Sequence, residues 1–192
     1  MGKLDKLQPA SVWNIFEKMS EIPRGSGNET GVQNMFKAWA DERGLAWKED
    51  AVGNLLVSIP GTKGLEKAAP VLVQGHVDMV CEKNAATKHD FEKDPLKLKV
   101  AGDWVSAEGT TLGADNGIAL AMALTLAAES RAPRPPLELL FTVDEETGLT
   151  GAHQLEAGFI RGRTLLNLDS EVEGVLTVGC AGGCDTEITL PL

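Results

Sequence analysis

The sequence predicts an α/β fold: a three-layer α/β/α sandwich around a mixed, mostly parallel sheet. Short apolar runs rich in β-branched residues, such as Val71-Leu-Val-Gln-Gly-His76, alternate with segments of helical hydrophobic period. One helical segment, Ile118 to Glu129, is Ala- and Leu-rich nearly all round, which suits a position buried within a layered domain. No repeat, low-complexity tract or linker interrupts the alternation.

The elements follow in order. Ser11 is expected to cap a first helix with Val12, Ile15, Phe16 and Met19 on one side. Ile22-Pro-Arg-Gly-Ser-Gly-Asn28 breaks it, and a second helix runs from near Glu29 to Arg43 with Val32, Met35, Phe36 and Trp39 inward. Gly44 is placed to end that helix. Leu45–Glu49 and Asn54–Ile59 read as strands joined at Val52-Gly53, and Val71–Asp78 as the next strand. Residues 81–99 are charged and irregular and read as a surface loop containing His89. Trp104–Ala107 is a short strand before the Gly-flanked turn that holds Asp115 and opens the buried helix. Leu137–Val143 and Leu165–Asp169 are further strands, with a short helix through Ala152 and Leu155 between them. Val175–Val178 and Asp185–Leu190 are expected to be two more.

At 192 residues, 43% hydrophobic and 24% charged, the chain can build one good core. Its net charge of −10 argues against nucleic acid and anionic membranes as partners. No stretch reaches the roughly 20 apolar residues of a membrane span. Met-Gly-Lys-Leu-Asp-Lys-Leu is no signal peptide, and Lys6 does not fit a myristoylation pattern. Cys81, Cys180 and Cys184 are odd in number and form no Cys-x-x-Cys, so they read as reduced thiols of a cytoplasmic protein.

The chemistry gathers at strand ends. His76 and Asp78 lie two residues apart at the end of one apolar strand, on one side of it. Glu145 and Glu146 follow the next apolar strand, and Asp169 ends another. In open α/β sheets the carboxyl ends of strands are where ligands bind. Each residue alone has an ordinary use: a surface pair, a helix cap for Asp115, a solvated helix start for the glutamates. Together they make one imidazole and five carboxylates, which would repel unless a cation neutralised them. Such donors suit Zn²⁺, Mn²⁺ or Co²⁺, and a bridging carboxylate could hold two ions. His153 and His89 read as ordinary helix and loop residues.

His76-Val-Asp78-Met-Val, Gly109-Thr-Thr-Leu-Gly-Ala-Asp115-Asn-Gly, Glu145-Glu146-Thr-Gly and Asn167-Leu-Asp169-Ser-Glu together resemble the M20 metallopeptidase family. The likeness is greatest to its aminoacyl-histidine dipeptidase branch, which Gly179-Cys-Ala-Gly-Gly183 also fits. The resemblance implies a zinc-peptidase-like fold and hydrolysis of small Xaa-His-type dipeptides by a di-zinc-activated water. It implies that His76 and Asp169 bind one Zn²⁺, that Glu146 binds the other and that Asp115 bridges both, with Mn²⁺ or Co²⁺ as possible substitutes. Asp78 would orient His76, and Glu145 would be the general base. The family's Asp-Asn bond, here Asp115-Asn116, is typically cis.

Members of the branch are more than twice this length, with an inserted lid and a returning segment that carries a further metal-binding His. Residues 1–192 therefore read as the N-terminal portion of the catalytic domain, weakly active or inactive alone, with one tight and one weak metal position. Apolar surface left uncovered would favour self-association. Arg24-Gly25 stands where many relatives have His-Pro or Arg-Pro, in a loop without assigned chemistry. A deacylase of N-acyl amino acids and a non-catalytic metal-binding fragment are the alternative readings.

Overall fold

A computed structural model describes residues 2–129, 132–170, 172–179, 182 and 186–190. Its main sheet has five strands in the order β1-β2-β6-β3-β7: Ala46–Glu49, Leu55–Ile59, Leu137–Thr142, Val71–His76 and Thr164–Asn167. β3 pairs in parallel with both β6 and β7, whereas β2 is antiparallel to β6 and to β1. The sheet is thus mixed, and its three parallel strands present their carboxyl ends at one edge. β4 (Leu98–Ala101) and β5 (Trp104–Ala107) form a separate hairpin.

Alternation along the strands separates two apolar faces. Leu55, Val57, Ile59, Val73, Leu137, Leu139 and Phe141 point into the larger core, beneath α1 (Ala10–Ser20), α2 (Thr30–Asp41) and α3 (Ala114–Ala128). Phe36 of α2 meets Phe141 with ring centroids 4.6 Å apart. Leu56, Leu72 and Leu140 point the other way, against Phe159 and the segment after α4 (Thr150–His153). α3 lies between α1 and the sheet, where it buries Leu120, Ala121, Ala123 and Leu124, while its Met122 and Leu126 stay exposed.

Glu138 sits among the leucines of β6 and is fully buried. Its carboxylate accepts hydrogen bonds from Arg161 N, Gly162 N and Arg161 Nε at 2.8, 2.9 and 2.8 Å. Burial raises its pKa, but these partners outweigh burial and hold it below the usual glutamate value.

Several elements differ from expectation. Pro9, not Ser11, caps α1; the Pro9 carbonyl accepts the first helical N–H groups, and Ser11 lies inside the helix. The 81–99 loop ends early, because Leu98 and Lys99 enter β4, whose turn at Gly102 uses φ +58°. α4 stops at His153, short of Leu155. Residues 175–178 and 186–190 form no strand. Val178 and Leu176 are 100% and 92% exposed, so the apolar pattern at 175–178 has no core against it among the described residues. Cys81 is free, while Cys180 and Cys184, Asp185, and most of the 179–183 motif lie outside the described residues.

Candidate metal centre

β3 delivers His76 to the carboxyl edge of the sheet beside Thr142 of β6, where the imidazole is 1% exposed. Its Nδ1 lies 3.2 Å from Asp78 Oδ1 and its Nε2 3.0 Å from Asp115 Oδ1. Asp169 Oδ1 stands 3.7 Å from the same Nε2. His76, Asp115 and Glu146 each offer a ligand atom within 4.8 Å of the others. The structure therefore brings His76, Asp115 and Glu146 together, with Asp169 against the imidazole.

Asp115 reaches this point through a break in α3. Gly113 takes a left-handed conformation (φ +65°), Asp115 is extended (φ −77°, ψ 116°), and the Asp115-Asn116 peptide is cis. The Asn116 amide donates to Asp169 Oδ1 at 2.8 Å and to Leu168 O at 3.0 Å, tying the loop after β7 to the start of α3. Gly75 makes this approach possible: a Cβ there would collide with Asn116 Oδ1 and stand 3.0 Å from Leu120. Gly75→Ala should therefore destabilise the fold by about 1–3 kcal/mol through overpacking, read as a lower denaturant midpoint. An unchanged midpoint would show that Asn116 can yield without cost.

Asp78 is fully buried and organises the glutamates. Besides His76, its carboxylate accepts hydrogen bonds from Ser26 Oγ at 2.7 Å, Glu145 N at 3.0 Å and Glu146 N at 3.1 Å. Burial alone would raise its pKa, but these four donors push it far below the usual aspartate value. Asp144 turns the chain out of β6 with φ +51°. Its N–H donates to Glu29 Oε1, and its carboxylate accepts from Thr147 and Thr150.

Burial disfavours a charged His76, but hydrogen bonds to Asp78 and Asp115 and the charge of Asp169 outweigh it and raise its pKa to about 9. Glu145, Glu146 and Asp169 shift upward, first from burial; His76 opposes the shift and neighbouring carboxylates add to it. One imidazole with converging carboxylates, its second nitrogen already fixed by Asp78, fits the donor chemistry of a divalent transition metal. Glu145 and Asp169 also border a cavity of about 240 Å³ lined by Leu72, Leu140, Leu149 and Leu155.

Arg24, Ser26 and Glu29 received no role from the sequence, yet all three support this edge. Arg24 is 2% exposed; burial lowers its pKa to about 10 against the charges of Asp78, Cys81, Asp115 and Glu146. A Pro- and Gly-containing loop carries no local signal for partners more than fifty residues away. His89, read as an ordinary loop residue, is buried against Phe91, away from the cluster's contacts.

The pattern of peptidase family M20/M25/M40 matches residues 72–186. Cytosol non-specific dipeptidase of Escherichia coli (strain K12) is 44% identical over 192 residues, which is 100% of this chain and 40% of that protein. The crystal structure of aminoacylhistidine dipeptidase from Vibrio alginolyticus superimposes with a TM-score of 0.86 at 44% identity, covering 89% of this chain and 35% of that one. A tripeptidase from Staphylococcus aureus shares the fold at a TM-score of 0.71 and 24% identity, covering 84% of this chain and 43% of that one. The chain spans well under half the length of each of these relatives.

Proposed function

The chain belongs to peptidase family M20/M25/M40, and from that premise we propose that its strand-edge cluster is the centre of a zinc-dependent dipeptidase. His76, Asp115, Glu146 and Asp169 would hold the zinc, with the exposed Asp115 carboxylate open to more than one ion. The observation that carries this is His76 itself: Asp78 holds Nδ1, and Nε2 faces Asp115 and Asp169 with Glu146 in reach. Bound zinc would supply Lewis-acid polarisation of the scissile carbonyl and lower the pKa of the attacking water. Glu145 would accept a proton from the attacking water and return it to the leaving amine; its raised pKa suits a group that must both accept and give a proton. Asp78 holds the His76 tautomer and, through two backbone N–H groups, the loop that bears both glutamates.

The substrate class is a small dipeptide, Xaa-His among them, and the setting is cytoplasmic; both readings rest on similarity to the cytosol non-specific and aminoacylhistidine dipeptidases. Among the described residues no helix is long and apolar enough to cross a membrane. Self-association belongs to the same reading, since Leu165 and Leu166 are exposed on edge strand β7; sedimentation across a concentration series tests it. For function, dipeptide hydrolysis is assayed against N-acetyl amino acids, with Zn²⁺ or Mn²⁺ and with chelator. Metal-dependent cleavage favouring dipeptides is expected. Faster release from N-acetyl amino acids, or turnover that survives chelator, contradicts the proposal.

Metal affinity should depend on pH. The His76 pKa of about 9 means zinc must displace a proton at neutral pH. Apparent affinity should then rise by about tenfold per pH unit up to that value. Because this pKa lies above the ordinary 6.5, His76 stabilises the metal-free fold fully below 6.5 and loses that contribution as pH rises towards 9. Titration calorimetry in buffers of different ionisation enthalpy should show proton release on zinc binding near neutrality. Zinc affinity that is flat with pH would place the metal away from His76.

A further inference from the structure

We propose that Arg24 is a positioning residue of the metal centre, a buried guanidinium that locks the segment bearing His76 and Asp78 to the segment bearing Asp115. The inference rests on the metal-centre reading above.

Arg24 comes from the loop between α1 and α2 and touches neither His76 nor Asp115 by hydrogen bond. Instead it binds backbone carbonyls close to each of them in the chain. Its Nη1 donates to Val77 O at 2.8 Å and Asp78 O at 3.0 Å, just past the end of β3. Its Nη2 donates to Gly113 O, two residues before Asp115. One rigid, planar group thus spans the two segments whose side chains meet as His76 Nε2 and Asp115 Oδ1, 3.0 Å apart.

The glycines of the Gly113-Ala-Asp-Asn-Gly117 turn make room for it. A Cβ at Gly113 would collide with Nη2 and stand 2.7 Å from Met79 Sδ, at a backbone φ of +65° that already favours glycine. A Cβ at Gly117 would stand 2.7 Å from Nη2 and 3.1 Å from Phe16. The two glycines that flank Asp115 therefore serve the arginine as well as the turn.

Burying a cation is costly unless charge and hydrogen bonds compensate it. Here Arg24 Nε is buried with no hydrogen-bond partner among the described residues, a further cost on top of the desolvated charge. A group placed only to pack would be cheaper as an apolar residue. What an apolar residue cannot do is hold three carbonyl oxygens at once while setting positive charge near Asp78, Asp115 and Glu146. Lys carries the charge but not the planar fork, so the two contributions can be separated.

The test measures zinc affinity, by competition with a chromophoric chelator, and thermal unfolding for wild type, Arg24→Lys, Arg24→Gln, Gly117→Ala and His76→Ala. Folded Arg24→Lys and Arg24→Gln proteins should bind zinc at least about tenfold more weakly, the scale seen when groups supporting a ligand are removed. A purely structural arginine would lower the unfolding temperature and leave the zinc affinity of the folded protein unchanged, and that result overturns the proposal. Should the Arg24 variants fail to fold, Gly117→Ala decides, because it displaces the guanidinium without removing it. Weakened zinc binding in that variant supports the proposal, and unchanged binding overturns it. Wild-type zinc binding that is insensitive to His76→Ala would defeat the metal-centre reading and this inference with it. Binding that needs His76 but ignores Arg24 defeats this inference alone.

Discussion

Glu145→Gln should lower dipeptide turnover by about 10²–10⁴-fold while metal content stays near wild type, because the variant loses the proposed proton acceptor and none of the proposed ligands. The backbone predicts the second half of that result. Asp78 holds the loop through the N–H of residue 145, which the substitution preserves, and through the N–H of Glu146, whose side chain is the proposed ligand. Gln is isosteric with Glu, so the 240 Å³ cavity beside it should keep its shape. Two measurements on one sample, turnover and metal content, separate the outcomes. Near-normal turnover would place the base elsewhere. Loss of metal with loss of turnover would exchange the roles of Glu145 and Glu146.

Asp78→Ala should be the most damaging single change outside the proposed ligands. It removes the acceptor for His76 Nδ1, Ser26 Oγ and two backbone N–H groups in one step. Breaking a buried charged network by removing one partner costs about 3–5 kcal/mol. Freeing a ligating imidazole from its orienting carboxylate weakens metal binding by about 10–100-fold. Asp78→Asn should be milder, since an amide oxygen can still accept from the glutamate loop. Denaturant unfolding of the metal-free protein and zinc titration measure the two effects. If Asp78→Ala unfolds at the wild-type midpoint, the Asp78 network does not organise this edge of the sheet.

The parts of the site that were legible from sequence share one property: their signal is local. An apolar strand ending in His-x-Asp places two polar groups at a strand terminus by period alone, and Glu145-Glu146 and Asp169 repeat that placement. The Gly-flanked Asp115 likewise announces a turn into a helix. What joins them is not local. Nothing in Ile22-Pro-Arg-Gly-Ser-Gly-Asn28 says that Arg24 will bind Val77 and Gly113, or that Ser26 will bind Asp78. The antiparallel placement of β2 beside β6 is equally silent, because pairing between distant strands leaves no trace in either. The same limit explains the error at residues 175–178 and 186–190. Apolar alternation shows that a segment can be a strand, but a strand also needs a neighbour, and these described residues stand exposed.

A second group of carboxylates, Glu29, Asp78 and Asp144, also converges within 4.8 Å, so the position of the metal distinguishes the two clusters. Asp78 already accepts four hydrogen bonds there, and Glu29 and Asp144 are engaged with Gly27 N, Asp144 N and two threonines. Crystals of this chain soaked in zinc and measured at the zinc absorption edge locate the ion directly. Anomalous density between His76 Nε2, Asp115, Glu146 and Asp169 is the predicted result. Density at Glu29, Asp78 and Asp144 instead, or none within reach of His76, would contradict it.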